Sequence, residues 1–147
     1  MSNRILPLLI VAFIWGSCTA IGNGSESQET CHLDQLKQSS EAYYNAVNTE
    51  HQEDMSSFES EEYKQNQPAS VLEPELLKMK RVGKFDKLAV KHVRLESADT
   101  ATVVVNLIIH NKTENVWYTE GSFQQLWKCQ NGLWKVKTLP TVILLGK

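Results

Sequence analysis

The sequence predicts an α+β fold, with one long helix and several short ones packed on a strongly curved, four- to five-stranded antiparallel sheet. Three observations carry this. From Cys31 to Val47 the apolar side chains recur at spacings of three and four, a helical period. After Gly83 the period changes to two, as in half-buried strands. Asn131-Gly132 then divides the run from Val116 to Leu139 into two strands, because both residues tolerate the positive φ of a type I′ turn. Helices first and strands after is an α+β order.

The first twenty residues read as a secretory leader rather than as structure. Arg4 is the charged start, Ile5 to Trp15 is an apolar run too short to span a bilayer comfortably, and Cys18-Thr19-Ala20 offers small residues at −3 and −1. Cleavage is expected after Ala20, with Gly22 as second choice. A lipoprotein with Cys18 modified is the alternative, but Trp15-Gly16-Ser17 fits that poorly. The 147 residues therefore divide into a signal peptide at 1–20, a flexible polar segment at 21–30 and a single domain at 31–147. No other apolar run is long enough to cross a membrane.

Cleavage changes two counts. Arg4 leaves, so 14 of the 15 basic side chains face 17 acidic ones, and the formal charge moves from −2 to −3. Without a basic excess, nucleic acid is excluded as the natural partner. Cys18 leaves too, and only Cys31 and Cys129 remain. In an oxidising compartment that pair reads as one disulfide closing nearly the whole domain, worth about 4 to 5 kcal/mol as an upper figure. Secretion also gives meaning to two glycosylation sequons, Asn23-Gly24-Ser25 and Asn111-Lys112-Thr113.

Taken in order, Leu33, Leu36, Ser40, Tyr43 and Val47 line one face of the long helix, with Thr30 as its N-cap and Cys31 in its first turn. A break is expected near Asn48-Thr49. Met55 and Phe58 predict a second short helix to about Tyr63, and Leu76 to Lys80 one more helical turn after Pro68 and Pro74. The basic run Lys78-Met79-Lys80-Arg81 reads as a solvated face. Asp86 to Glu96 is a strand whose alternation slips: Leu88 and Val90 fall on one face, Val93 and Leu95 on the other, and a bulge near Lys91-His92 would reconcile them. Ser97 to Thr100 turns the chain. Ala101, Val103, Val105, Leu107 and Ile109 then form one apolar face, with Val104 and Ile108 partly buried behind it.

In the closing hairpin a two-residue loop sets Gln130 opposite Leu133, Cys129 opposite Trp134 and Trp127 opposite Val136. Trp127, Cys129, Trp134 and Val136 share the inner face, and Lys128, Lys135 and Lys137 the outer one. Gly121 in mid-strand predicts a bulge or bend. Val142 to Leu145 continues the last strand or packs loosely.

A helix carrying Tyr43-Tyr44-Asn45-Ala46, followed late by Asn131-Gly132-Leu133-Trp134-Lys135-Val136, resembles the nuclear-transport-factor-2-like superfamily over about residues 32 to 140. That resemblance implies a cone-shaped sheet wrapped round the long helix, with a pocket open at one end. The cystatin fold is the competitor, since it also wraps a sheet round one helix. Its Gln-x-Val-x-Gly hairpin tip is missing here, as Gln124-Gln125-Leu126 lacks the glycine. A lipocalin barrel fits less well, because the first third is helical.

The superfamily's enzymes use a carboxylate or histidine base with a tyrosine or acid as oxyanion donor, so Tyr43, Tyr44, His92, Glu96, Tyr118 and Glu120 are the candidates here. Tyr118 and Glu120 face solvent unless Gly121 resets the register. His32, His51, His92 and His110 lack ligand-like spacing, and no phosphate loop or nucleophile elbow occurs, so neither metal nor cofactor is expected. No catalytic set stands out. The reading is a secreted binding protein that holds an apolar small molecule or docks a protein partner, with Tyr43, Val47, Val105, Trp127 and Trp134 facing the ligand. A homodimer fits this reading too. The alternatives are a small isomerase or dehydratase using a tyrosine and a carboxylate, and a cystatin-like protease inhibitor.

Overall fold

The computed structural model describes residues 31–66, 75–138 and 141–143. The expected leader at 1–20, the segment 21–30 with Asn23 and Thr30, Pro68, Pro74 and Leu144–Leu145 lie outside them. Helix α1 runs from Leu33 to Thr49 and buries Leu36, Ser40, Tyr43, Tyr44, Ala46 and Val47 along one side. His32, in extended conformation, is its N-cap, and its N–H donates to Gln35 Oε1 at 3.0 Å. Cys31 therefore precedes the helix instead of sitting in its first turn. The helix stops where the sequence places a break. Glu50 adopts a left-handed conformation (φ 61°), Glu50 N–H donates to the Val47 carbonyl and His51 N–H to that of Ala46. Glycine usually fills that place, as Gly83 (φ 74°) does after α4.

The expected second helix is two. Helix α2 spans Gln52–Phe58 and α3 spans Glu61–Asn66. Between them Glu59 and Ser60 extend and pair in parallel with Val136 of the last hairpin, Ser60 N–H reaching the Val136 carbonyl at 3.1 Å. Ser60 Oγ then accepts the Tyr63 N–H at 3.0 Å, a cap that restarts the helix. The edge of the sheet offered unpaired backbone groups, and satisfying them outweighs continuing one helix. Helix α4, Glu75–Arg81, is more than the solvated face expected of its basic run. Lys80 donates to the Asn48 carbonyl at the end of α1 and pairs with Glu50 at 3.4 Å. A cation there also complements the carbonyl end of the helix.

The sheet follows in the order β1 (Lys87–Leu95), β2 (Thr100–Asn111), β3 (Val116–Gln130) and β4 (Leu133–Val136), all antiparallel. The β3–β4 register is the one the Asn131-Gly132 turn requires: Gln130 opposite Leu133, Cys129 opposite Trp134, Trp127 opposite Val136. The β1 bulge falls between Val90 and His92. It brings Leu88, Val90, Val93 and Leu95 opposite Leu107, Val105, Val103 and Ala101, so all four join one face. A second bulge separates Gly121, opposite Leu107, from Thr119, opposite Ile108, and leaves Glu120 unpaired. Each bulge bends its strand and increases the local twist. The C-terminus behaves differently from a continued strand. β5 (Thr141–Ile143) is separate and pairs with Ser122–Gln124 of β3, on the edge that β4 occupies further along.

Helix α1 crosses the sheet obliquely and is tied down at both ends. At its start Cys31 is bonded to Cys129, with Cα atoms 5.9 Å apart, and Trp134 Nε1 donates to the His32 carbonyl at 3.0 Å. At its end Asn48 mimics a strand neighbour for β1. Its Nδ2 donates to the Leu88 carbonyl at 2.9 Å, and its Oδ1 accepts the Leu88 N–H at 2.7 Å. Among the described residues no helix is long and apolar enough to cross a membrane.

Candidate functional site

One row of the sheet concentrates the polar chemistry of the interior. Ala101, Trp127, Val136 and Glu59 are paired in succession, so their side chains rise from the same face toward α1. Tyr43 stands over this row, edge-on to Trp127 (5.6 Å between ring centres, 88°), Tyr44 (5.0 Å, 76°) and Phe58 (6.2 Å, 73°). Two positions along β3 on the same face, Gln125 accepts a hydrogen bond from the Tyr44 hydroxyl and donates Nε2 to the Thr138 carbonyl at 2.9 Å. Both ends of that amide are thus committed.

Three buried polar atoms in the cluster have no hydrogen-bond partner among the described residues: Tyr43 Oη, Trp127 Nε1 and Glu59 Oε1. Tyr43 and Trp127 are fully buried, and Glu59 is 9% exposed. Gln125 acts to lower the Tyr43 phenol and Trp127 to lower that of Tyr44, although Tyr43 Oη and Trp127 Nε1 meet no hydrogen-bond geometry there. Burial dominates the electrostatics. It pushes both phenols well above their ordinary range, with Tyr63 adding to each and Glu59 adding to Tyr43. Burial also raises the Glu59 carboxyl, with Lys64 opposing. The cluster is therefore a set of neutral donors beside one carboxyl whose charge is disfavoured.

The structure brings all five expected ligand-facing residues, Tyr43, Val47, Val105, Trp127 and Trp134, into one core cluster. Trp134 sits at its end, engaged with His32. The surface candidates do not converge. His92 is exposed opposite Val104, and Glu96 is exposed, its Oε1 accepting from both Nε and Nη2 of Arg94 (3.0 and 2.8 Å). Hydrogen bonds from Thr102 and then Arg94 hold the Glu96 carboxyl below its ordinary value. Tyr118 and Glu120 are exposed at the far end of β3. Among the described residues no three His, Cys, Asp or Glu side chains gather as metal ligands would. Two surface depressions lie apart from Tyr43, Trp127 and Glu59. One, of about 300 Å³, is bordered by Arg94, Thr102, Gln124 and Thr138; the other, of about 470 Å³, lies between α1 and α2.

Glu59, Tyr63 and Gln125 are the members that sequence reading missed. Gln125 was recoverable, since strand alternation puts it on the same face as Phe123 and Trp127. Glu59 was not, because its neighbours read as an ordinary polar helix and only the pairing with Val136 turns it inward.

No protein-family model matches the chain, and no curated protein matches it. Among solved structures, a crystal structure described as an NTF-2 like protein of unknown function from Shewanella oneidensis MR-1 is similar. The TM-score is 0.45 at 16% identity, covering 71% of this chain and 93% of that one.

Proposed function

We propose that this is a secreted protein that binds a small, mainly apolar molecule beneath α1, gripping one polar end with Tyr43, Trp127 and Glu59. The observation that supports it is the gathering of three unpartnered buried polar atoms at one row of an otherwise aromatic and aliphatic interior. Each such group costs about 1 to 3 kcal/mol, so a molecule that satisfies all three recovers a sizeable fraction of a domain's stability. The complement of two donors and one carboxyl is an alcohol or phenol. Its oxygen accepts from the Trp127 indole and the Tyr43 hydroxyl, and its proton goes to Glu59. A carboxylate ligand fits worse, since it has no proton to give Glu59 and would itself bury a charge. The remaining affinity comes from apolar burial, and a generic hydrophobic ligand is expected at about micromolar Kd, or about −8 kcal/mol. The bonded Cys31–Cys129 pair accords with secretion.

The test is a tryptophan-fluorescence titration of delipidated protein with a long-chain alcohol and with the acid of equal length. Saturable binding of the alcohol, preferred over the acid in wild type and not in Glu59→Gln, is the expected result. No saturable signal with either would remove the carrier reading and leave partner docking on the sheet.

A second reading is favoured by one observation, the raised Glu59 carboxyl close to the Tyr43 phenol. That pairing suits an isomerase or dehydratase, with Glu59 moving a proton and Tyr43 stabilising an oxyanion. Deuterium exchange at the carbon next to a bound ketone, lost in both Glu59→Gln and Tyr43→Phe, would establish it over simple binding.

A further inference from the structure

We propose that Asn111 is N-glycosylated and that its glycan covers the apolar end of the sheet that α1 leaves bare. The inference rests on the secretory reading of the leader. Asn111-Lys112-Thr113 lies at the tip of the β2–β3 hairpin, where residues 112–120 are all exposed. Its backbone geometry is compatible with a linked sugar. Asn111 Oδ1 accepts the Thr113 N–H at 3.0 Å and the Glu114 N–H at 3.3 Å, while Nδ2 donates to Glu114 Oε2 at 3.2 Å. In the linkage step Nδ2 attacks the anomeric carbon of a lipid-diphosphate-linked oligosaccharide. A C–N bond forms, the C–O bond to the diphosphate breaks, the lipid diphosphate leaves with the electron pair, and one amide proton of Nδ2 passes to water. The second amide proton stays and keeps the Glu114 contact.

The strand register says what the glycan lies over. Asn111 is directly opposite Val116, and Ile109 opposite Tyr118. Alternation along both strands puts these four side chains on one face. Val116 and Tyr118 are each 45% exposed there. Tyr118 is the diagonal neighbour of Asn111, at about 7 to 8 Å, within reach of the first sugar ring. Trp117 points to the other face, where His110 stacks on it at 4.4 Å and Lys87 sits 4.2 Å from its ring centre, so it is already engaged. A secreted chain with bare Val116 and Tyr118 presents an adhesive patch, and a glycan at Asn111 shields it.

The experiment is secretion of the full chain from a eukaryotic cell line, with peptide mapping before and after peptide N-glycosidase treatment. Mapping separates Asn111 from Asn23. The expected result is a glycan on the Asn111 peptide, absent in Thr113→Ala. That variant loses the sequon hydroxyl and keeps the backbone N–H that Asn111 accepts, so it leaves the hairpin tip intact. A bare Asn111 in secreted protein lacking residues 1–20 overturns this proposal alone. A bare Asn111 in chain retained in the cell with residues 1–20 attached overturns it together with the secretory reading. For the covering role, enzymatic removal of the glycan should increase binding of a hydrophobic dye severalfold, and Tyr118→Ser should abolish the increase. An unchanged dye signal on deglycosylation would show that the sugar does not lie over this face.

Discussion

The two ends of β3 are built in opposite ways. Toward Gln130 the strand is fastened: Cys129 is bonded to Cys31, its partner Trp134 holds the His32 carbonyl, and Phe123, Gln125 and Trp127 are sealed beneath α1. Toward Val116 it is open, with Val116, Trp117 and Tyr118 all about half exposed. The lengths explain the contrast. A helix of 17 residues reaches about 25 Å, whereas a strand of 15 reaches about 50 Å. The helix runs from the Cys129–Trp134 row to Leu88, which is in line with Leu107 and Gly121. Beyond that row nothing from α1 covers the sheet, and the β3 bulge at Glu120 falls at the boundary. A long hairpin thus acquires a sealed half and an accessible half from the reach of one helix.

Breaking the sealed half should cost most. Replacing both Cys31 and Cys129 by Ser is expected to lower stability by about 4 to 5 kcal/mol at most, since the bridge closes a loop across 98 positions. Urea midpoints without reductant check this. Trp134→Ala comes next, at about 3 to 5 kcal/mol for a buried aromatic. Trp134→Phe, which keeps one aromatic ring but removes three heavy atoms and the bond to His32, should cost less, about 1 to 3 kcal/mol. A Trp134→Ala midpoint near wild type would show that this face is not sealed at all.

Asn48→Ala tests the far tie of α1. It strips both backbone partners from Leu88 and is expected to cost about 1 to 3 kcal/mol, with hydrogen exchange at Leu88 N–H rising ahead of that at β3 amides. The buried carboxyl gives a smaller effect with a definite sign. Burial raises Glu59, so the folded chain holds this proton more tightly than the unfolded one. Its favourable contribution is complete below the ordinary value of 4.5 and is lost as pH rises through the raised folded value. Glu59→Gln should flatten the stability–pH profile over that window and be the more stable protein at neutral pH. In the open half, by contrast, Tyr118→Ser should change stability by no more than about 0.5 kcal/mol. A larger loss in thermal unfolding would mean that the exposed end is part of the core after all.

Features set by neighbours in the chain were legible from residues alone. Alternation and an Asn-Gly turn determine the β3–β4 register, the slip between Val90 and Val93 calls for the β1 bulge, and the two cysteines outside the expected leader imply the bond between Cys31 and Cys129. The inward set of Tyr43, Val47, Val105, Trp127 and Trp134 follows from the same periods. The tertiary structure alone decided where Glu59 points, that Tyr43 stands over Trp127, and that Tyr118 ends in solvent beyond the reach of α1. Each depends on segments far apart in sequence meeting across the sheet. Local period carries no information on such meetings, because a polar residue beside a helix end looks the same whether it faces water or an unpaired strand edge.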